Sequence, residues 1–94
     1  MRLLRKKLVA EKIGVGMSTI NRYVANGQFP KPKNAGIEIR WDEDVVDAWM
    51  ILAFDIKKPL PDIDSQDIAM VETCVKAYQH LKGKSLNLPT SQAV

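Results

Sequence analysis

Apolar positions in the first quarter of the chain fall at helical spacing in two short runs, separated by Gly14-Val15-Gly16. The first run predicts a helix opened by Lys6 or Lys7 and reaching about Ile13. Leu8 or Val9, the aliphatic stem of Lys12, and Ile13 are its inward positions. Ala10 sits where two helices can pass closely, Gly14 where the chain must reverse, and Val15 at the corner between the helices. The second run, Ile20, Tyr23 and Val24, predicts a helix from about Met17 to Asn26. Gly16 is its expected N-cap, and Asn26-Gly27 its stop, with Gly27 suited to the left-handed position. This phasing turns Ser18, Thr19, Asn21, Arg22 and Asn26 outward. Before the first helix, Leu3-Leu4 is an apolar pair suited to a short strand or to packing on the core.

The pattern then changes. Phe29 is expected to point inward, while Pro30 and Pro32 hold Lys31 and Lys33 on extended backbone. Asn34-Ala35-Gly36 marks a turn, and Ile37 to Trp41 alternates as a strand does. A short hairpin after two such helices is a wing. Asp42 is a good N-cap for a third helix running to about Phe54, with Val45, Val46, Trp49, Leu52 and Ala53 as its stripe and Trp41 and Trp49 as large anchors. Residues 57–62 break the pattern. A fourth helix, capped by Asp64 or Ser65, carries Ile68, Val71, Val75 and Tyr78 at 3-4-3 spacing and should end at Gly83. The predicted fold is α+β, mostly α: a winged helix-turn-helix with a short two-stranded wing and a C-terminal helical extension. Its divisions are a winged domain over 1–54, a linker over 55–63, a helix over 64–82 and a mobile tail over 83–94.

Charge sharpens this picture. Residues 1–41 hold nine Lys and Arg against two acids, net +7, and residues 42–94 hold five against nine, net −4. Such asymmetry points to a polyanion partner for the N-terminal half. The single cysteine, Cys74, permits no internal disulfide and fits a reducing cytosol. No signal peptide or membrane-spanning run is expected, so the cytoplasm is the expected location. Cys74 with His80 is too few ligands for zinc. Helix capping and dipole complementarity account for Asp42, Glu43 and Asp44, and no nucleophile or paired histidine accompanies these acids or Asp47. No enzyme activity, metal or cofactor is therefore expected.

Three blocks carry a family resemblance: L-L-R-K-K-L-V-A-E-K-I-G-V (3–15), S-T-I-N-R-Y-V-A-N-G-Q-F-P-K-P (18–32) and I-R-W-D-E-D-V-V-D-A-W (39–49). In that order they resemble AlpA-type prophage regulators, in the winged-helix group that includes phage excisionases and, more distantly, MerR-type domains. The resemblance covers about Met1 to Ile51. It implies a sequence-specific DNA-binding protein of a prophage or other mobile element, acting as a transcriptional regulator, an excisionase, or both. This chain departs from the pattern at Gly16-Met17, where relatives often carry Ser-Arg, at Asn21, often Tyr, and near Ile37-Glu38, where another basic residue is common. A phosphate contact at Met17 is expected to be lost, and Glu38 would repel phosphate if it pointed there.

On the second helix, Asn21 suits adenine and Arg22 suits guanine or a phosphate, while Ser18 and Thr19 suit phosphate oxygens. Asn26 completes that face. Lys31, Lys33, Arg40, Arg5 and Lys6 are candidate backbone neighbours. Arg40 stands equally open to an ion pair with the acids of the third helix. The expected partner is double-stranded DNA, with integrase or RNA polymerase as protein partners. Ile68, Val71, Val75 and Tyr78 are open to two readings at this stage: packing onto the winged domain, or a seam for a homodimer or cooperative assembly on DNA. A small-terminase-like DNA-packaging subunit and a pure protein-interaction module are the rival classes.

Overall fold

The computed structural model describes residues 2–35 and 38–87. Its elements run β1 (Leu3–Leu4), α1 (Lys6–Ile13), α2 (Met17–Ala25), β2 (Lys33–Ala35), β3 (Glu38–Asp42), α3 (Glu43–Ala53) and α4 (Ser65–Asn87). The strands form one antiparallel sheet in the order β1-β3-β2. The wing is the β2-β3 pair, with Lys33 opposite Arg40, Asn34 opposite Ile39 and Ala35 opposite Glu38. Leu3 and Leu4 do form a strand, placed opposite Asp42 and Trp41. Asn34 and Ala35 are strand residues rather than turn residues, and Gly36 and Ile37 of the expected hairpin lie outside the described residues.

Both glycines expected at helix ends adopt the left-handed conformation. Gly14 has φ 79° and donates to Ala10 O at 2.8 Å. At the end of α2, Gly27 has φ 72°. Its N–H donates to Val24 O at 3.2 Å, and that of Gln28 to Tyr23 O at 2.8 Å. Together these close the α2 carbonyls in a Schellman motif and turn the chain sharply toward the wing.

That turn delivers Gln28-Phe29-Pro30 into the core. Backbone carbonyls buried there need donors, and the two indoles supply them. Trp49 Nε1 donates to Gln28 O and Trp41 Nε1 to Pro30 O, both at 2.9 Å. Phe29 lies between the two tryptophans, with its ring centroid 4.9 Å from Trp49 and 6.3 Å from Trp41. The segment between α2 and the wing is therefore a clamp rather than a slack loop. It sets the wing's position relative to α2. Val9, Ile20, Val46 and Trp49 are fully buried around it.

Of its two candidates for the first inward position, α1 uses the second. Val9 is buried while Leu8 is 45% exposed. The Lys12 side chain is 31% exposed, and its ammonium pairs with Asp47 at 3.0 Å and Glu43 at 3.4 Å, joining α1 to α3. These partners hold the Lys12 pKa above its ordinary value, the Asp47 hydrogen bond contributing most.

Asp42 caps α3, its Oδ1 accepting from Asp44 N at 2.9 Å. Asp64 caps α4 in the same way through Asp67 N, at 2.9 Å. Gly83 does not end α4, which continues to Asn87, and residues 88–94 of the expected tail lie outside the described residues. The stripe on α4 packs inward: Val71, Cys74 and Val75 are buried, and Ile68 and Tyr78 are half-buried. Burial raises the Cys74 thiol pKa. Val71, Cys74, Val75 and Tyr78 belong to the same core as Trp49 and Val46, as the packing reading of this stripe expects.

Candidate nucleic-acid interface

α2 carries no acid along its length and none in its first turn. Ile20 is its one fully buried residue, with Tyr23 and Val24 half-buried beside it. The opposite face presents Ser18, Asn21, Arg22 and Ala25, all exposed, with Met17 at its edge, 49% exposed. Thr19, half-buried, lies on the flank away from Asn21 and contributes less to this face than the phasing implied. Asn26 is exposed but serves as the C-cap of the helix.

The start of α2 is equally open. Gly16 is the N-cap in extended conformation, and no side chain caps the helix. The first helical bonds are donated by Thr19 and Ile20 to Gly16 O, at 3.1 and 3.2 Å. The N–H groups of Met17 and Ser18 thus project from the positive end of the helix dipole, a geometry that favours an anionic oxygen. α1 begins the same way, behind Arg5, with no side-chain cap and no acid in its first turn.

Beside this face lies a hollow of about 200 Å³, lined by Lys6, Asn21, Val24, Pro32, Ile39 and Trp41. It brings the start of α1, the outward edge of α2 and the wing to one place. Its base is apolar and its rim carries an ammonium and a carboxamide. Ile39 is 50% exposed there. Met17, Ala25 and Ile39 were not singled out from the sequence as members of this surface. Apolar residues in a presumed core pattern give no sign of exposure until the neighbouring element is placed.

The remaining basic candidates have a different setting. Lys33, Arg40 and Glu38 point to the sheet face away from α2, because Trp41 and Ile39 take the other side. Arg40 pairs with Glu38 of its own strand, not with the acids of α3. Arg5 Nη2 lies 3.8 Å from the second Glu38 oxygen. The Arg40 hydrogen bond and the two guanidinium charges hold the Glu38 carboxyl below its ordinary pKa. Lys33 Nζ lies 4.0 Å from Asp42 Oδ2. It also borders an acidic hollow of about 310 Å³ lined by Asp42, Asp44, Asp62, Asp64 and Asp67. Lys31 is exposed at the entry to the wing. The basic residues thus divide: Lys6, Arg22 and Lys31 are absent from the ion pairs among the described residues, whereas Lys33 pairs with Asp42, and Arg5 and Arg40 share the one carboxylate of Glu38.

Among the described residues, no group of three or more His, Cys, Asp or Glu is placed to hold a metal ion. Nor is any helix there long and apolar enough to cross a membrane.

Two short helices across a left-handed glycine, a clamped connection and a β2-β3 hairpin define a winged helix-turn-helix. The comparison with known families agrees: residues 2–52 match the family described as prophage CP4-57 regulatory protein (AlpA). The chain belongs to that family, which implies a phage-associated regulatory DNA-binding protein. No curated protein matches the chain. The match ends within α3, so α4 lies outside it.

Proposed function

We propose that this protein binds duplex DNA with α2 in the major groove and serves a prophage or other mobile element as a transcriptional regulator, an excisionase, or both. The observation that carries the reading is the outward face of α2. It is acid-free and uncapped, it forms no ion pair among the described residues, and it stands beside Lys6 and the wing. Asn21 and Arg22 are the base readers: a carboxamide pairs with adenine, and a guanidinium with guanine. Ser18, with the free N–H groups at the start of α2, receives a phosphate. Lys6 and Lys31 neutralise the flanking backbone, and Ala25 lets the helix approach the bases closely. Thr19 and Asn26 are peripheral. Arg5, Lys33 and Arg40 contribute when a phosphate displaces their carboxylate partners.

Regulation and excision need the same reading surface, so the target separates them. Footprinting on the DNA flanking the gene is the test. Protection of an integrase promoter supports regulation, and protection of repeats at an attachment site supports excisionase action. Equal affinity for these sites and for random duplex would overturn both. The packaging-subunit reading has less support. It requires α4 to offer a partner the stripe that Val71, Val75 and Tyr78 bring to α3.

A further inference from the structure

Four aromatic rings connect α4 to the recognition helix. Trp49, fully buried and tied to Gln28 O, meets Tyr78 edge-on, with centroids 5.1 Å apart at 66°. Phe54 flanks Tyr78 at 6.2 Å and 77°. Tyr78 in turn meets Tyr23 of α2 edge-on, at 5.6 Å and 73°. On the Tyr23 ring rests the guanidinium of Arg22, its Cζ 5.9 Å from the centroid. Arg22 forms no ion pair among the described residues, so the ring is its neighbour of record.

We propose that Tyr78, in the helix outside the family match, is a positioning residue for Arg22: it fixes the Tyr23 ring on which the guanidinium is seated. The inference rests on the reading of Arg22 as a DNA contact. An arginine side chain loses much rotamer freedom when it docks. Seating it on a ring of fixed orientation removes part of that cost before DNA arrives, and edge-to-face packing is sensitive to ring angle. α4 thereby becomes part of the reading apparatus without touching DNA.

The test uses the full chain and its Tyr78→Leu, Tyr78→Phe and Tyr23→Leu variants. The first readout is the NMR shift of the Arg22 δ-protons in free protein, which the Tyr23 ring current displaces. The second is selectivity, taken as affinity for the duplex that the wild-type chain recovers from a randomised pool over affinity for random duplex of equal length. Tyr78→Leu should move the Arg22 resonances toward those of Tyr23→Leu and lower selectivity by roughly two- to tenfold. Tyr78→Phe, which keeps the ring, should preserve both. In an Arg22→Ala background, Tyr78→Leu should cost no further selectivity. Unchanged Arg22 resonances in Tyr78→Leu, or an equal selectivity loss without Arg22, would overturn the proposal. If Tyr78→Leu fails to fold, the Tyr78→Phe spectrum and the Tyr23→Leu selectivity decide. If the wild-type chain prefers no duplex, it is the DNA reading that falls, and the Arg22 resonances still decide the positioning.

Discussion

α2 and α3 are short helices that both start behind a residue in extended conformation, yet they are built for opposite ends. α3 begins at Asp42, whose carboxylate caps it, and carries Glu43 and Asp44 in its first turn. It buries Val45, Val46, Ala48, Trp49 and Ala53. α2 begins at an uncapped glycine, has no acid, and fully buries Ile20 alone. In α3 the dipole is neutralised internally and the side chains hold the core. In α2 the positive end and the polar face are both left for something else. The lesson is that core packing and an open polar face are assigned to different helices, with the Gln28-Phe29-Pro30 clamp joining them; on the proposed function, that face is the one that reads DNA.

The largest effect should come from the holding side. Trp49→Ala removes a fully buried ring and the donor to Gln28 O, and should cost about 3–5 kcal/mol in urea unfolding. The double variant Asn21→Ala with Arg22→Ala should change unfolding by no more than about 0.5 kcal/mol, yet abolish selective footprints. If unfolding of the double variant shifts as far as that of Trp49→Ala, the division of labour fails.

Exchanging the helix starts probes the same contrast. Asp42→Ala should destabilise by about 1 kcal/mol through the lost cap. Gly16→Asp should do the reverse to α2. Gly16 has φ −79°, and a Cβ there meets nothing within 4 Å. The new carboxylate should stabilise by about 0.3–1 kcal/mol through capping and the dipole. It should also weaken DNA affinity on the order of tenfold, by occupying the N–H groups offered to phosphate. A variant both more stable and tighter-binding would place the phosphate elsewhere.

Smaller shifts concern the paired charges. Glu38→Gln releases Arg5 and Arg40. The salt dependence of DNA binding should then steepen by about 0.9 for each guanidinium that reaches a phosphate. An unchanged slope would remove both from the interface. Glu38 has a lowered folded pKa, so any stability it adds is present above its ordinary pKa of 4.5 and lost as pH falls through the folded value. Lys12 has the opposite sign. Its folded pKa is raised, so its contribution is full below 10.5 and lost as pH rises through the folded value. The stability gap between wild type and Lys12→Met should therefore close in strongly alkaline buffer and stay constant near neutrality.

Much of this division was legible in the residues. Helical spacing located α1, α2 and α3, glycine marked both left-handed helix ends, and Asp42 announced the cap of α3. These are local matters: backbone sterics, side-chain reach and period act within a few residues of one another. The outward positions of Ser18, Asn21 and Arg22 followed from the same phasing, and the acid-free α2 is visible in its letters.

The rest required distant parts of the chain to meet. Nothing near Lys12 in sequence announces Asp47, and nothing near Arg40 distinguishes Glu38 from the acids of α3 as its partner. Pairing depends on which side of the sheet each residue takes, and that depends on register. The stripe on α4 reads equally well as a dimer seam or as core, because an apolar face specifies burial but not the surface that buries it. By itself, the sequence determined the helix-turn-helix, the cap of α3 and the outward face of α2. Only the tertiary structure decided which cations find a carboxylate partner, that Gln28-Phe29-Pro30 is clamped by two indoles, and that α4 lies behind Tyr23. Those are contacts between elements, and their energies exist only once the elements are packed.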